Sequence, residues 1–352
     1  MRKQFTAAAL IGVLIFSLTA CGQKKPDSSG SDQVGNGSGQ AEQTDSPDTD
    51  QAVVLRAGFS TDASDPRVLA AEVFKKQVEE QTEGRIQIEL HANGELGSDA
   101  ELIQGVKDSK VDMTVSSAGN FSKYSTRVGV SAFPFLFADF KEAWEFIDGK
   151  EEQEIEKDLE RYNIKVLAHF DNGFRCVTTS ENAGPIHSVA DMKGIKIRTP
   201  ENQIVMETLS ALGAEPSVLE FTELYDALKK GEYDAQENPI PVIYNHKLYK
   251  VQSCLAITNH SYDAMFFVIR NDIWKKLSKE DRLILQSSAI EAQLQNRQMV
   301  QQQTEEYVRK LEQKGMEITY PDLKEFKDAT EKVYDSFSSS YGKELMDLLK
   351  NR

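Results

Sequence analysis

From Ser278 to Lys314 the chain runs without a single glycine or proline, and good helix formers prevail. Those two residue types are the ones that most strongly break a helix, so the run predicts one continuous helix. Ser278 followed by Asp281 resembles a capping box at its start. At 1.5 Å rise per residue such a helix reaches about 50 Å. That is longer than one small domain, so the fold should supply two bodies for it to lie across. A coiled coil is the competing reading, but Gln293 to Gln303 lacks a sustained apolar heptad.

Upstream, strand-like and helix-like segments alternate. Val53 to Gly58 reads as a buried strand, and Pro66 to Glu80 as a helix with Ala70, Phe74 and Val78 recurring every four residues. Arg85 to Leu90 alternates strictly, as a half-exposed strand does. A helix is expected from Ser98 to Asp108 and a strand from Val111 to Val115. Further strands are expected at Ile164 to Phe170, Gly194 to Arg198 and Ala264 to Ile269. This pattern argues for α/β layers.

The amino terminus carries a different signal. Arg2 and Lys3 precede an apolar run from Ala7 to Leu18, too short to span a bilayer, which needs about 20 residues. A positive start and a short apolar core describe a signal peptide over residues 1–20. Its end, Leu18-Thr19-Ala20-Cys21 before Gly22, matches a lipobox, in which Cys21 is acylated and becomes the mature terminus. Residues 22–51 are dominated by Gly, Ser, Asp, Gln and Asn and cannot bury enough surface to order themselves, so they read as a flexible leash.

Hydrophobic content of 39% and charged content of 28% are ordinary for a globular protein. The formal charge of -15 argues against nucleic acid, which wants a basic face. It leaves room for an anionic ligand, since a local arginine can overrule the global field. Cys176 and Cys254 are the only cysteines after Cys21, and they read either as a disulfide or as two buried thiols.

No two of the five histidines stand at metal-ligand spacing on one helix, and there is no Gly-rich phosphate loop or Gly-x-Ser-x-Gly elbow. The sequence therefore implies no cofactor and no metal, and argues against an enzyme. Three polar residues are better placed. Ile195 and Ile197 share one face of a strand, which puts Lys196 and Arg198 on the other, with Arg198 at its carboxyl end before Pro200. Ligands in open α/β sheets bind beyond the carboxyl ends of strands, and a guanidinium fork matches a carboxylate. Arg175 follows Gly173, where backbone and ligand can approach closely. Asn238 precedes Pro239, and its amide can both donate and accept. An arginine ending a strand is equally compatible with a surface salt bridge, and an asparagine before proline with turn chemistry.

These same residues carry a resemblance. Asn172-Gly-Phe-Arg175, Asp191-Met-Lys-Gly-Ile-Lys-Ile-Arg-Thr-Pro200, Glu220-Phe-Thr-Glu-Leu-Tyr-Asp-Ala-Leu228 and Gln236-Glu-Asn-Pro239 resemble the DctP-type solute-binding subunits of TRAP transporters. Gly94 to Asp99, Val111 to Thr114, Ala132 to Phe137 and Leu255 to His260 fit the same family in order, so the likeness covers the chain from about Val53. It implies a two-lobed periplasmic-binding-protein-like α/β fold, joined by strands, spanned by a long helix and closing over a ligand cleft. Lobe I is expected at 52–172 plus 264–303, and lobe II at 173–263 plus 304–352.

The resemblance also implies site roles. Arg198 should hold the ligand carboxylate, with Arg175 and Asn238 as further contacts and Phe221 lining the pocket. Sialic-acid-binding relatives carry Glu, Arg and Asn where this chain has Ser117, Asn120 and Ser60, so sialic acid is not the expected ligand. Hydroxyls and amides from those three residues suit a sugar acid such as a uronate, or another hydroxylated acid, while a C4-dicarboxylate stays open. Asp99 and Asp171 either add hydrogen bonds or cap the rim. A lipid-anchored protein on the outer face of the membrane, delivering its ligand to TRAP permease subunits, is the implied role. A sensor component and an ABC-importer binding protein are the alternatives.

Overall fold

The computed structural model describes residues 52–350; the expected signal peptide, Cys21 and leash lie outside the described residues. Nine strands form one mixed sheet: β1 (Val53–Gly58), β2 (Ile86–His91), β3 (Met113–Ser117), β4 (Ile164–Thr179), β5 (Lys196–Thr199), β6 (Glu215–Val218), β7 (Ala235–Pro239), β8 (Cys254–Arg270) and β9 (Glu317–Thr319). Their order is β2-β1-β3-β8-β4-β7-β5-β6, with β9 beside β8. Two parallel sets, β2-β1-β3 and β7-β5-β6, flank an antiparallel pair.

That pair explains the two lobes. β4 and β8, at 16 and 17 residues, are far longer than the short strands expected at 164–170 and 264–269. The first half of β4 lies against the part of β8 that pairs with β3, and its second half against β7. The register slips between Asp171 and Gly173, where Gly173 takes φ +105°. Few residues other than glycine adopt that conformation, so this slip is the one that depends on a glycine; two more lie between Val166 and Ala168 and between Arg175 and Val177.

The expected long helix is Lys279–Gln313, about 52 Å at the standard rise. The Ser278 hydroxyl accepts from Asp281 N at 3.0 Å and donates to the Asp281 carboxylate at 2.7 Å, which closes the cap through side chains. Leu285, Ala289 and Ala292 enter a core with Phe74 and Phe267, whereas Leu311 enters a second core with Leu224, Ile243 and Leu255. The helix thus rests on both bodies. Between them its amides do the work that apolar heptads do in a coiled coil. Gln293 Oε1 accepts from His169 N at 2.8 Å, Asn296 Oδ1 accepts from Asp171 N at 2.5 Å, and Gln286 Nε2 donates to Leu167 O at 2.6 Å. Backbone groups freed where β4 slips register are satisfied by the glutamine-rich face.

Helices Pro66–Gln81 and Asp99–Lys107 fall where expected. Asp65 caps the first, and a reciprocal Ser98–Glu101 box caps the second. A third, larger core joins Val128, Val130 and Phe133 to Ile204, Leu209, Phe326 and Tyr341. Cys176 and Cys254 are free thiols, both buried.

Candidate functional site

Where the carboxyl ends of β3, β5 and β7 converge, the two sides of the sheet leave a narrow cavity. It holds about 610 Å³ of atom-free space with its mouth included. Arg67, Asp99, Ser117, Asn120 and Asn172 line it with Arg175, Arg198, Phe221 and Asn238.

Arg198 is the residue in the wall with the least support. Strand alternation places it opposite Ile197, but the face away from Ile197 is not solvent: both side chains are buried, Arg198 with only 2% exposure. Its Nε donates to Leu219 O at 2.8 Å, which fixes the plane of the guanidinium. Among the described residues it forms no ion pair. Burial pulls its pKa down to about 10; Glu237 opposes that shift and the like charge of Arg175 adds to it. A buried cation without a partner is costly, and this one faces a cavity.

Arg175 stands in the same wall under opposite conditions. Its Nε and one terminal nitrogen grip the Glu237 carboxylate, the second contact at 2.8 Å, and its other terminal nitrogen meets Asp263. The same nitrogen that bonds Glu237 also reaches Glu237 O at 2.8 Å and Asn238 Oδ1 at 3.2 Å. Burial would weaken its charged form, but these two carboxylates raise its pKa. Glu237, which burial alone would push up, is instead held at about 2 by Arg175 and His260. Arg175 is therefore charge-compensated from within, and Asn238 is tied to both Arg175 and Gln236.

The other wall is built of hydroxyls and amides. Ser60 Oγ donates to Asp99 Oδ2 at 2.9 Å, and Ser116 Oγ to Asp99 Oδ1 at 3.0 Å. Asn120 Nδ2 donates to Ser116 Oγ at 2.9 Å, and Ser117 Oγ to Asp263 Oδ2 at 3.1 Å. Ser60 is thus one layer behind the wall, acting through Asp99. Asp171 lies elsewhere. Its carboxylate accepts from Trp144 Nε1 at 3.0 Å beneath the long helix, and burial lifts its pKa to about 7 against the pull of that bond and of Arg297. It lines no part of the cavity.

Phe221 opens helix Phe221–Lys230 and packs edge-on against His246, with ring centroids 4.8 Å apart. His246 in turn lies with its Nε2 3.5 Å from Asp65 and its Nδ1 3.6 Å from Asp62. Next to Asn120, Gly119 sits so close to Asn202 that a Cβ there would lie 2.1 Å from Asn202 Nδ2. Sequence reasoning did not single out Arg67, Glu237 or Asp263. Glu237 was legible beside Asn238, as an acid within a buried strand next to a candidate ligand; the pairing of Arg175 with residues 62 and 88 positions away was not.

Residues 58–340 match the model of the bacterial extracellular solute-binding proteins, family 7. The chain is 35% identical over 276 residues to the 2,3-diketo-L-gulonate-binding periplasmic protein YiaO of Escherichia coli, covering 78% of this chain and 84% of that protein. It is 28% identical over 305 residues to the C4-dicarboxylate-binding protein DctB of Bacillus subtilis, covering 85% and 87%. A TRAP periplasmic solute-binding protein of Polaromonas, solved with D-erythronate, superposes with a TM-score of 0.81 at 29% identity, covering 84% of this chain and 98% of that one. A two-lobed sheet, a long spanning helix and a cleft lined by an unpaired arginine thus coincide with a match over most of the chain, and the protein belongs to family 7 of the bacterial extracellular solute-binding proteins, which bind solutes for transport and are not enzymes.

Proposed function

We propose that the protein captures a carboxylate-bearing solute between its lobes, Arg198 receiving the acid group, and presents it to an ion-gradient-driven TRAP permease. Arg198 carries the reading: a buried guanidinium, oriented by Leu219 O and without an ion pair among the described residues, is completed by an anion. The names of relatives that bind sugar acids and C4-dicarboxylates support the same class. Asn238, Arg175 and Phe221 shape the pocket on lobe II (173–263 plus 304–352). Ser117, Asn120 and Asp99, with Ser60 behind, do so on lobe I (52–172 plus 264–303). A solute touching both walls binds the closed form better and shifts the population toward it. The lipobox at Cys21 and the leash at 22–51 support a lipid anchor on the outer membrane face.

Calorimetry with D-erythronate, D-galactonate and succinate, against erythritol as a neutral control, tests the reading. At least one acid binds the wild type, and Arg198→Ala weakens it by about 3–5 kcal/mol, the cost of stranding a buried charge. Equal affinity in the variant, or equal binding of the neutral polyol, overturns the assignment. Retention of a Cys21→Ser variant in the membrane fraction rejects the anchor.

A further inference from the structure

The charges of the cavity wall point beyond a generic acid. We infer that the site selects solutes with one carboxylate and several hydroxyls over the matching diacids, with Asp99 as the discriminating residue. This rests on the carboxylate reading above and narrows its ligand class.

Of the three arginines in the wall, two are already matched. Arg175 is held by Glu237 and Asp263, and Arg67 Nε lies 3.0 Å from Asp65, both buried. Among the described residues Arg198 is the one arginine of the wall without an ion pair, so a second carboxylate finds no second cation lacking a counter-ion. On the other side it meets Asp99, which lines the cavity and forms no ion pair among the described residues. Each Asp99 oxygen accepts one serine hydroxyl and keeps a further acceptor site.

The donor chain from Asn120 through Ser116 ends on Asp99, so every neighbouring bond favours Asp99 as an acceptor. A ligand hydroxyl can donate to it. A ligand carboxylate has no proton to give and is repelled. Glu220, in the same wall, already registers such crowding, its pKa raised first by burial and next by the charge of Asp99. Like charges in a partly desolvated site interact far more strongly than in water.

Two pairs of acids isolate this effect: D-galactonate with galactarate, and D-erythronate with meso-tartrate. Within each pair a terminal hydroxymethyl is replaced by a carboxylate. By calorimetry, the wild type binds the monoacid of a pair at least about tenfold more tightly. Asp99→Asn, near-isosteric and neutral, weakens the monoacid and narrows the ratio, while thermal unfolding without ligand verifies that the variant is folded. The wild-type ratio needs no variant, so it stands as a test even if Asp99→Asn fails to fold. A diacid bound as tightly as its monoacid, or a ratio unchanged in Asp99→Asn, overturns the inference. If that diacid binding is lost in Arg198→Ala, the carboxylate reading survives alone. Binding of either acid that does not need Arg198, or failure of these acids and of succinate alike to bind, overturns both, whereas binding of succinate with neither pair overturns the inference alone.

Discussion

Beneath the long helix, Arg297 meets Asp148 through both terminal nitrogens, at 2.6 and 2.8 Å, and its guanidinium lies over Trp144. His169 sits between Asp148 and Glu156. Arg198 is buried as deeply, but among the described residues its one bonded partner is a backbone carbonyl, that of Leu219. Both regions take charge out of water, a step that is costly unless the charge is matched. In the first, the arginine and the histidine are matched internally, and they tie helix to sheet. In the second a cation has no counter-ion among the described residues, which makes sense if the match arrives from outside. Burial alone does not mark the site, since Glu152 is buried beside His169 with its carboxyl raised to about 8 by burial and by Glu156; a buried cation without a counter-ion that faces a cavity does.

The sharpest way to break this comparison uses the two arginines of the cavity wall. Arg175→Met strands Glu237 and Asp263 and should destabilise the fold by about 3–5 kcal/mol in urea unfolding. Arg198→Met, which strands no charge and frees only the Leu219 carbonyl, should change unliganded stability by no more than about 1 kcal/mol in either direction. Similar losses in both would erase the distinction. A smaller effect concerns pH. Burial lowers the affinity of His169 for its proton, but Glu156 and Asp148 outweigh it and raise the pKa from 6.5 to about 9. The stabilisation is complete below pH 6.5 and disappears as pH climbs through 9, on the order of 1–3 kcal/mol. His169→Gln should flatten that slope without altering acid affinity.

An effect of opposite sign and similar size comes from Asp171. Its carboxyl is raised from 3.8 to about 7 by burial, so its ionisation opposes folding progressively between those pH values. Asp171→Asn can still accept from Trp144 and should add on the order of 1–3 kcal/mol at pH 8 and nothing near pH 3. A loss of ligand affinity in this variant would return Asp171 to the binding site.

Much of this was readable from the chain. The long helix follows from the absence of breakers, and Arg198 from a strand end followed by Pro200. The halves of β4 and β8 that were missed contain Asn172, Gly173, Asn259, His260 and Asp263. Such residues suppress any strand pattern: Gly173 and Asn259 take positive φ, Asn172 lines the cavity, and Asp263 accepts from Asn172 and Arg175. The state of Arg175 was not readable either. Whether an arginine is matched depends on carboxylates brought near by strand pairing, which local spacing does not encode. Asp171 shows the converse: next to Asn172 in sequence, it is turned to the helix side of the sheet.

Gly119 carries a last consequence. A Cβ on residue 119 would lie 2.1 Å from Asn202 Nδ2, so any larger residue must push that side chain aside. Asn202 Oδ1 caps helix Gln203–Ala211 by accepting from Ile204 N and Val205 N. Gly119→Ala is therefore expected to disturb a helix start rather than the cavity wall, and a single carbon atom should register as about 1 kcal/mol of lost stability with solute affinity kept.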